Sequence, residues 1–344
     1  MELLENIVSF VNGILWDYVL IFGLVGIGLY FTLRLGFIQV KRFGSAAKRV
    51  FGGVFKKEKA KEGSMSSFQA LATSIAAQIG TGNVAGVATA ITTGGPGAVF
   101  WMWVSAFFGM ATIFVEATLA QKYRETDRDG QLVGGPAYYI KNGLGNKGLA
   151  SFFAIALIIA LGFIGNMVQS NSIADAVSRA FNIPQLVVGI IIAAIAGLIF
   201  IGGMKRIASF AELVVPLMAM VYIIGALAIM VLFRENIVNV FKAIFVAAFK
   251  PEAIMGGAAG IGVQQAIRYG IARGLFSNEA GMGSTPNSHA VAHVLHPVEQ
   301  GLSAMIAVFI DTILVCSATA IVILSTGANN SGMVGVGVTQ EAFN

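Results

Sequence analysis

Apolar residues along this chain fall in long blocks rather than in the narrow stripes of a soluble helix. A transmembrane helix takes about 20 mostly apolar residues. Eight blocks of that order are readable, near 14–33, 66–92, 95–121, 149–177, 185–203, 208–233, 253–276 and 299–325. The reading is an all-α polytopic membrane protein with a single transmembrane domain over residues 1–344. The seventh block is the least continuous, interrupted by Gly256, Gly257, Gly260, Gly262 and Gly270 and carrying Arg268 and Arg273. The first is too long, and too clearly followed by others, to be a cleaved signal peptide.

Composition narrows the class. Of 344 residues, 56% are hydrophobic and 11% charged, and the mean hydropathy is +0.80. Soluble domains carry about 25% charged residues. Too little polar material remains for a water-facing surface, which excludes a soluble enzyme, a nucleic-acid-binding domain and a disordered tail. The 42 glycines exceed the ordinary share of roughly 7%. They lie inside the apolar blocks, where small residues let helices approach closely. One cysteine, Cys316, excludes an internal disulfide, and no Cys/His cluster has zinc-ligand spacing.

Charge adds orientation. The loop after the first block holds Arg34, Lys41, Arg42, Lys48, Arg49, Lys56, Lys57, Lys59 and Lys61. Lys122, Arg124, Arg128, Lys141 and Lys147 follow the third, Lys205 and Arg206 the fifth, and Arg268 and Arg273 lie toward the end of the seventh. That assigns eighteen basic residues to one side, against Arg179, Arg234, Lys242 and Lys250 on the other. The basic side is cytoplasmic by the positive-inside rule, so the N-terminus is outside a plasma membrane crossed several times. Trp16, Trp101 and Trp103 then fall near the outer interface, where indoles are favoured.

Two blocks do not read as plain helices. The second contains Gln78-Ile79-Gly80-Thr81-Gly82-Asn83-Val84-Ala85-Gly86, and the seventh runs into Gly274-Leu275-Phe276-Ser277-Asn278-Glu279-Ala280-Gly281-Met282-Gly283-Ser284. Unwound backbone at membrane depth is tolerated where it is buried in protein or lines a cavity. Paired interruptions in two halves of a chain point to a transporter binding site. There half-helix N-termini hold an anionic group and freed carbonyls coordinate a cation. The two blocks run in opposite directions with four blocks between them, the offset of a five-helix unit repeated with inverted topology. Close packing by small residues is the plainer account of any single glycine pair.

At these residues the sequence resembles the alanine/glycine:cation symporter family, the sodium–alanine symporters of bacteria and archaea. The resemblance covers essentially the whole chain. It is most specific in Ile79-Gly80-Thr81-Gly82-Asn83-Val84-Ala85-Gly86-Val87-Ala88-Thr89, in Gly94-Gly95-Pro96-Gly97 with Phe100-Trp101-Met102-Trp103, and in Phe276-Ser277-Asn278-Glu279-Ala280-Gly281. Leu33-Arg34-Leu35-Gly36-Phe37, Gly134-Gly135-Pro136 and Gly165-Asn166-Met167-Val168-Gln169 also match.

The resemblance implies a LeuT-like fold of 5 + 5 inverted repeats with one extra N-terminal helix. Family members run on for about three more spans, so the last three helices are expected to be missing here. It also implies co-transport of alanine or glycine with Na⁺, sometimes H⁺, and no cofactor beyond that coupling ion. Carried over residue by residue, the backbone N–H groups of Gly80, Thr81 and Gly82 hold the substrate carboxylate, next to Gln78 and Asn83. Gln169, Phe276 and Asn278 close the pocket, and the carbonyls of Ala76 and Ile79 face sodium. Gln78 stands where a smaller residue is usual, which implies a tighter or differently bonded pocket. The small residues Gly80, Gly82 and Gly281 favour alanine or glycine over leucine.

Intramembrane acids are functional candidates because burying charge is costly. Glu116, Asp175, Glu212, Glu279 and Asp311 qualify. Glu279 adjoins the second interruption, Glu116 lies deep in the third block, and Asp175 and Asp311 read as nearer helix ends, in solvated or capping roles. His289, His293 and His296 have the spacing of a metal-binding helical face, but their loop position reads as solvated. The stretch Lys41 to Lys61 reads as a topology determinant before an anionic-lipid site. An intramembrane protease needs a catalytic pair or zinc motif that is absent from the blocks, and a channel needs a repeated filter. The chain is therefore read as a transporter, not an enzyme, with another LeuT-fold solute transporter or an ion channel as the runner-up.

Overall fold

The computed structural model describes residues 2–54, 65–250 and 262–344. Lys56, Lys57, Lys59, Lys61 and positions 253–261 of the seventh block, including Gly256, Gly257 and Gly260, lie outside the described residues.

Helix α1 runs over 2–34, with a π-helical stretch at Leu15–Leu20. It starts well before the apolar block at 14–33 because Glu2–Ile14 is itself amphipathic. Helix α2 (Phe43–Val54) follows a single turn at Ile38–Lys41. The second block is split into α3 (Ser67–Gln78) and α4 over 82–94, and the third is α5 (Ala98–Lys122). A two-stranded hairpin (β1 Glu125–Thr126, β2 Leu132–Val133) and α6 (Pro136–Gly143) lead to α7 (Lys147–Phe181), α8 (Gln185–Phe200) and α9 (Gly203–Leu232). Helix α10 (Arg234–Phe249) precedes α11 (Gly262–Asn278), then α12 (Pro286–Ala290), α13 (Pro297–Thr326) and α14 (Val336–Phe343). The hairpin and α2, α6, α10, α12 and α14 lie between the apolar blocks or beyond the last, where no span was expected.

Helices α5, α7, α9 and α13 are long and apolar enough to cross a membrane. Two of them make the centre. Along α5 and α13 buried Ala, Ile, Met and Val side chains form the core, among them Met102, Ile113, Met305 and Ile323. Helices α7 to α9 turn large apolar side chains outward instead, including Phe163, Met167, Ile190 and Leu213. That is the distribution of a protein whose surface faces hydrocarbon.

Glycines set the close approaches. Gly97 lies against Ala247 of α10, and Gly270 and Gly274 of α11 lie against Ala98 and Ser105 of α5. Helices α4 and α11 are antiparallel, with Gly94 against Gln265 and Tyr269 at one end and Gly82 against Ser277 at the other. This corrects the placement of Arg268 and Arg273. Both precede the second interruption on α11, on the side of the α4–α5 turn and away from the basic loops. The Lys/Arg bias survives without them.

Candidate functional site

The first interruption is short. Ser66 starts α3 with a capping box, its hydroxyl accepting from Gln69 N–H while Gln69 Oε1 accepts from Ser66 N–H, both at 3.1 Å. The helix ends at Gln78, Ile79 turns extended (φ −77°, ψ 99°), and the chain winds again at Gly82–Gly86 as a π-helical turn. Two backbone donors freed there are met by side-chain carbonyls. Gly80 N–H donates to Asn83 Oδ1 at 2.8 Å, and Thr81 N–H donates to Gln169 Oε1 of α7 at 3.2 Å. A β-carbon at position 80 would sit 2.8 Å from the Gln169 amide, and one at 82 would sit 2.9 Å from Ser277 Cα. Glycine at both positions admits these neighbours.

Behind the break lies a buried carboxyl group. Asp311 is fully buried within the π-helical stretch Phe309–Cys316 of α13. Asn83 Nδ2 donates to its Oδ1 at 2.6 Å, and Ser277 Oγ and Thr312 Oγ1 donate to its Oδ2 at 2.9 and 2.7 Å. Cys316 Sγ stands 3.3 Å from Asn83 Nδ2 and 3.2 Å from Ser277 Oγ. Among the described residues no Lys or Arg pairs with Asp311. An isolated ionised carboxylate in a low-dielectric interior needs a counter-charge or a proton, and π-helical turns concentrate at functional sites. The expectation that Asp311 sits near a helix end is overturned. The residue lies near the midpoint of its 30-residue apolar helix, which is the signal that marks it.

The second interruption is built differently. Helix α11 continues through Ser277 and Asn278, so the break starts at Glu279, later than the glycine at 274 suggests. Glu279, Gly281 and Gly283 all take positive φ (56°, 89° and 82°), and the chain does not resume as a helix until α12. Carboxylates close this turn. Gly281 N–H donates to Glu116 Oε2 at 2.9 Å, Thr285 Oγ1 donates to Glu279 Oε2 at 3.1 Å, and Ser284 Oγ donates to the same oxygen. Asn278 ties the two interruptions together. Its carbonyl accepts from Gln78 Nε2 at 2.8 Å, its Nδ2 donates to Thr312 at 3.2 Å, and its Oδ1 accepts from Ala280 N–H at 3.0 Å.

A cavity of about 350 Å³ opens on the first interruption. Ile79, Gly80, Thr81, Asn83 and Gln169 line it together with Ser172, Met218, Tyr222 and Val315. Gln78, Gly82, Phe276 and Asn278, also expected at the pocket, are not on its wall. Gln78 is buried against Asn278 and leaves its Oε1 without a partner, as is Thr81 Oγ1. Gly281 packs on Leu24, so it does not limit substrate size. Ala76 lies on an exposed face of α3 and Ile79 is half-buried. Ser172, Met218 and Tyr222 carry no motif that picks them out in the sequence.

The remaining candidates resolve individually. Asp175 is a partly exposed partner of Arg179 at 3.0 Å, and Glu212 accepts from Gln69 at 3.0 Å. His289 is fully buried rather than solvated, between Gln300 Oε1 (2.7 Å) and Ser74 Oγ (3.1 Å). Burial lowers its pKa to about 4, which keeps the ring neutral. His296 is exposed. No group of three metal-binding side chains occurs among the described residues.

A helical protein with a lipid-facing exterior, an interrupted helix opening on a cavity and an unpaired acid behind it defines a membrane-integral transport protein. The chain belongs to the sodium:alanine symporter family, which it matches over residues 1–344. It is a cation-coupled amino-acid symporter by family and not an enzyme, with Na⁺ as the coupling ion. It is 47% identical to an uncharacterised transporter of Haemophilus influenzae, over 99% of this chain and 74% of that one. It is 42% identical to the sodium/alanine symporter AgcS of Methanococcus maripaludis, over 98% of this chain and 75% of the relative. It is 41% identical to GlnT of Bacillus subtilis, a probable sodium/glutamine symporter, over 99% and 70%.

Proposed function

We propose that this protein carries a small neutral amino acid, alanine or glycine, across the plasma membrane together with Na⁺, or H⁺ in its place, by alternating access. The N-terminus is outside and the basic loops are cytoplasmic. The observation that carries the reading is the juxtaposition of a cavity, the backbone donors at Gly80 and Thr81, and the buried acid Asp311 within one residue's reach. The substrate carboxylate sits on the Gly80 and Thr81 backbone, Gln169 bounds it from α7, and the orphaned Thr81 hydroxyl supplies a further bond. The cation sits against Asp311, Asn83, Ser277 and Thr312, with the carbonyls of Ala76 and Ile79 as a second position. The antiparallel run of α4 and α11 supports a LeuT-like 5 + 5 inverted repeat behind one extra helix, and rocking of the elements around the breaks exposes the site to either side.

Uptake of radiolabelled alanine into proteoliposomes of the purified protein tests this. Uptake is expected to follow an inward sodium gradient; uptake unchanged when choline replaces sodium, with no proton gradient present, removes the coupling. The cavity volume of about 350 Å³ and the likeness to GlnT favour glutamine as a second substrate. Competition of alanine uptake by unlabelled glutamine checks it.

A further inference from the structure

The Asn83 side chain is held at both ends by groups that leave it one orientation. Its Oδ1 faces the Gly80 N–H at 2.8 Å, so that atom must be the acceptor. Its Nδ2 then faces Asp311 Oδ1 at 2.6 Å and the Asp311 carbonyl at 3.2 Å. In this state the amide oxygen caps a backbone donor of the cavity wall, and the amide hydrogens point into the place a cation needs. Neither a carboxylate at Gly80 nor a cation at Asp311 is served by that arrangement.

Resting on the reading above, we propose that the Asn83 amide is the switch that couples the cation to the substrate. A cation beside Asp311 repels the two Nδ2 hydrogens and attracts the Oδ1 dipole, so the amide turns over. The turn has two consequences. The oxygen joins Asp311, Ser277 and Thr312 as a cation ligand. The Gly80 N–H loses its cap and, with Nδ2 now beside it, becomes a pair of donors aimed at one anionic oxygen. The cation thus builds half of the carboxylate cradle. Gln169 caps the neighbouring Thr81 N–H from the opposite wall and is displaced by the substrate itself. A coupling of this kind needs a ligand that prefers one state of a two-state element, and the amide has two states with opposite charge faces. Asn83 is a positioning residue for the carboxylate and a ligand for the cation.

Asn83→Asp separates the two roles. An aspartate keeps an oxygen for the cation and an oxygen for the Gly80 N–H; the one proton it shares with Asp311 is displaced by the cation, so it has no amide donors to turn toward Gly80. Binding of radiolabelled alanine to the purified protein in nanodiscs is measured in sodium and in choline, and sodium binding is measured without alanine. Allosteric couplings are typically 5- to 150-fold, so the unmodified protein is expected to gain about tenfold in alanine affinity from sodium. N83D is expected to bind sodium still, with alanine affinity changing less than about twofold between the two salts. Sodium-dependence retained in N83D overturns the switch, whereas an unmodified protein without it overturns the sodium-coupled reading itself.

A second measurement needs no variant. Hydrogen exchange of the Gly80 amide is expected to quicken with sodium alone and to slow when alanine is added. Exchange that sodium leaves unchanged or slows also overturns the proposal.

Discussion

The two interrupted helices look alike in sequence, each with glycines and an asparagine, yet the structure uses them for different work. At the first, the backbone stays at negative φ, the helix restarts within a few residues, and the freed donors meet neutral amide oxygens. At the second, three residues take positive φ and the chain stays non-helical until α12. There the Gly281 N–H meets the Glu116 carboxyl group, the Ala280 N–H meets the Asn278 amide oxygen, and Glu279 accepts from the Ser284 and Thr285 hydroxyls. The second turn is also tied by more bonds, with Glu279 accepting from two hydroxyls and Glu116 from a backbone donor, and each buried bond lost costs about 1–3 kcal/mol. The first break is weakly capped and adjoins the cavity. The second is strongly closed and packs on α1 through Gly281 and Leu24. On the proposed reading the first break exchanges partners and the second holds a turn in place.

The largest expected effect comes from the acid behind the first break. Asp311→Asn keeps the shape and the acceptor for Ser277 and Thr312 but removes the charge and the acceptor for Asn83 Nδ2. A charged ligand worth about 1.5–3 kcal/mol corresponds to a loss of roughly 10- to 100-fold in sodium affinity, and sodium-driven alanine uptake falls with it. Fluorescence-detected size-exclusion chromatography checks that the variant remains folded. A variant with normal sodium affinity places the cation elsewhere, and the Ala76 and Ile79 carbonyls become the site to examine.

The two glycines of the first break sharpen the contrast further. Alanine at position 82 meets the Ser277 backbone at 2.9 Å, which cannot give without separating the two broken helices. Overpacking of this kind costs about 1–3 kcal/mol. Alanine at position 80 meets the end of the Gln169 side chain at 2.8 Å, which is free to swing. Gly82→Ala is therefore expected to lower the thermal unfolding midpoint, while Gly80→Ala leaves it near normal and weakens alanine binding. The reverse order of effects breaks the assignment of Gly80 to the cavity wall.

What the sequence shows and what it hides divides along the same line. Glycines in an apolar block disclose unwound backbone, because few other residues tolerate it at that depth, so Gly80, Thr81 and Gly82 are readable directly. The family resemblance adds Gln169, which no local pattern marks. Asp311 is misread because a block of apolar residues does not show where its buried face lies. Only packing with α4 and α11 brings Asn83 and Ser277 to it beside its own neighbour Thr312. Gln78 and Asn278 are near the breaks in sequence, yet they bond to each other across 200 positions and leave the cavity wall to Ser172 and Tyr222. Arg268 and Arg273 are placed on the wrong side by loop counting, since α11 reaches its break late. The amphipathic pieces α2, α10 and α14 are too short or too polar to register as spans.

The smallest effect tests the second break alone. Glu116→Gln keeps an acceptor for the Gly281 N–H and exchanges a carboxyl oxygen for an amide oxygen, a loss of about 1 kcal/mol. Glu116 touches neither the cavity nor the Asp311 cluster, and the turn it closes belongs to the Glu279–Thr285 segment. A small drop in unfolding midpoint with unchanged alanine and sodium affinities is the expected result of thermal unfolding and equilibrium binding measured together. If alanine affinity falls while the unfolding midpoint stays fixed, the carboxylate is reporting on ligand, and the second break shares the exchangeable character of the first.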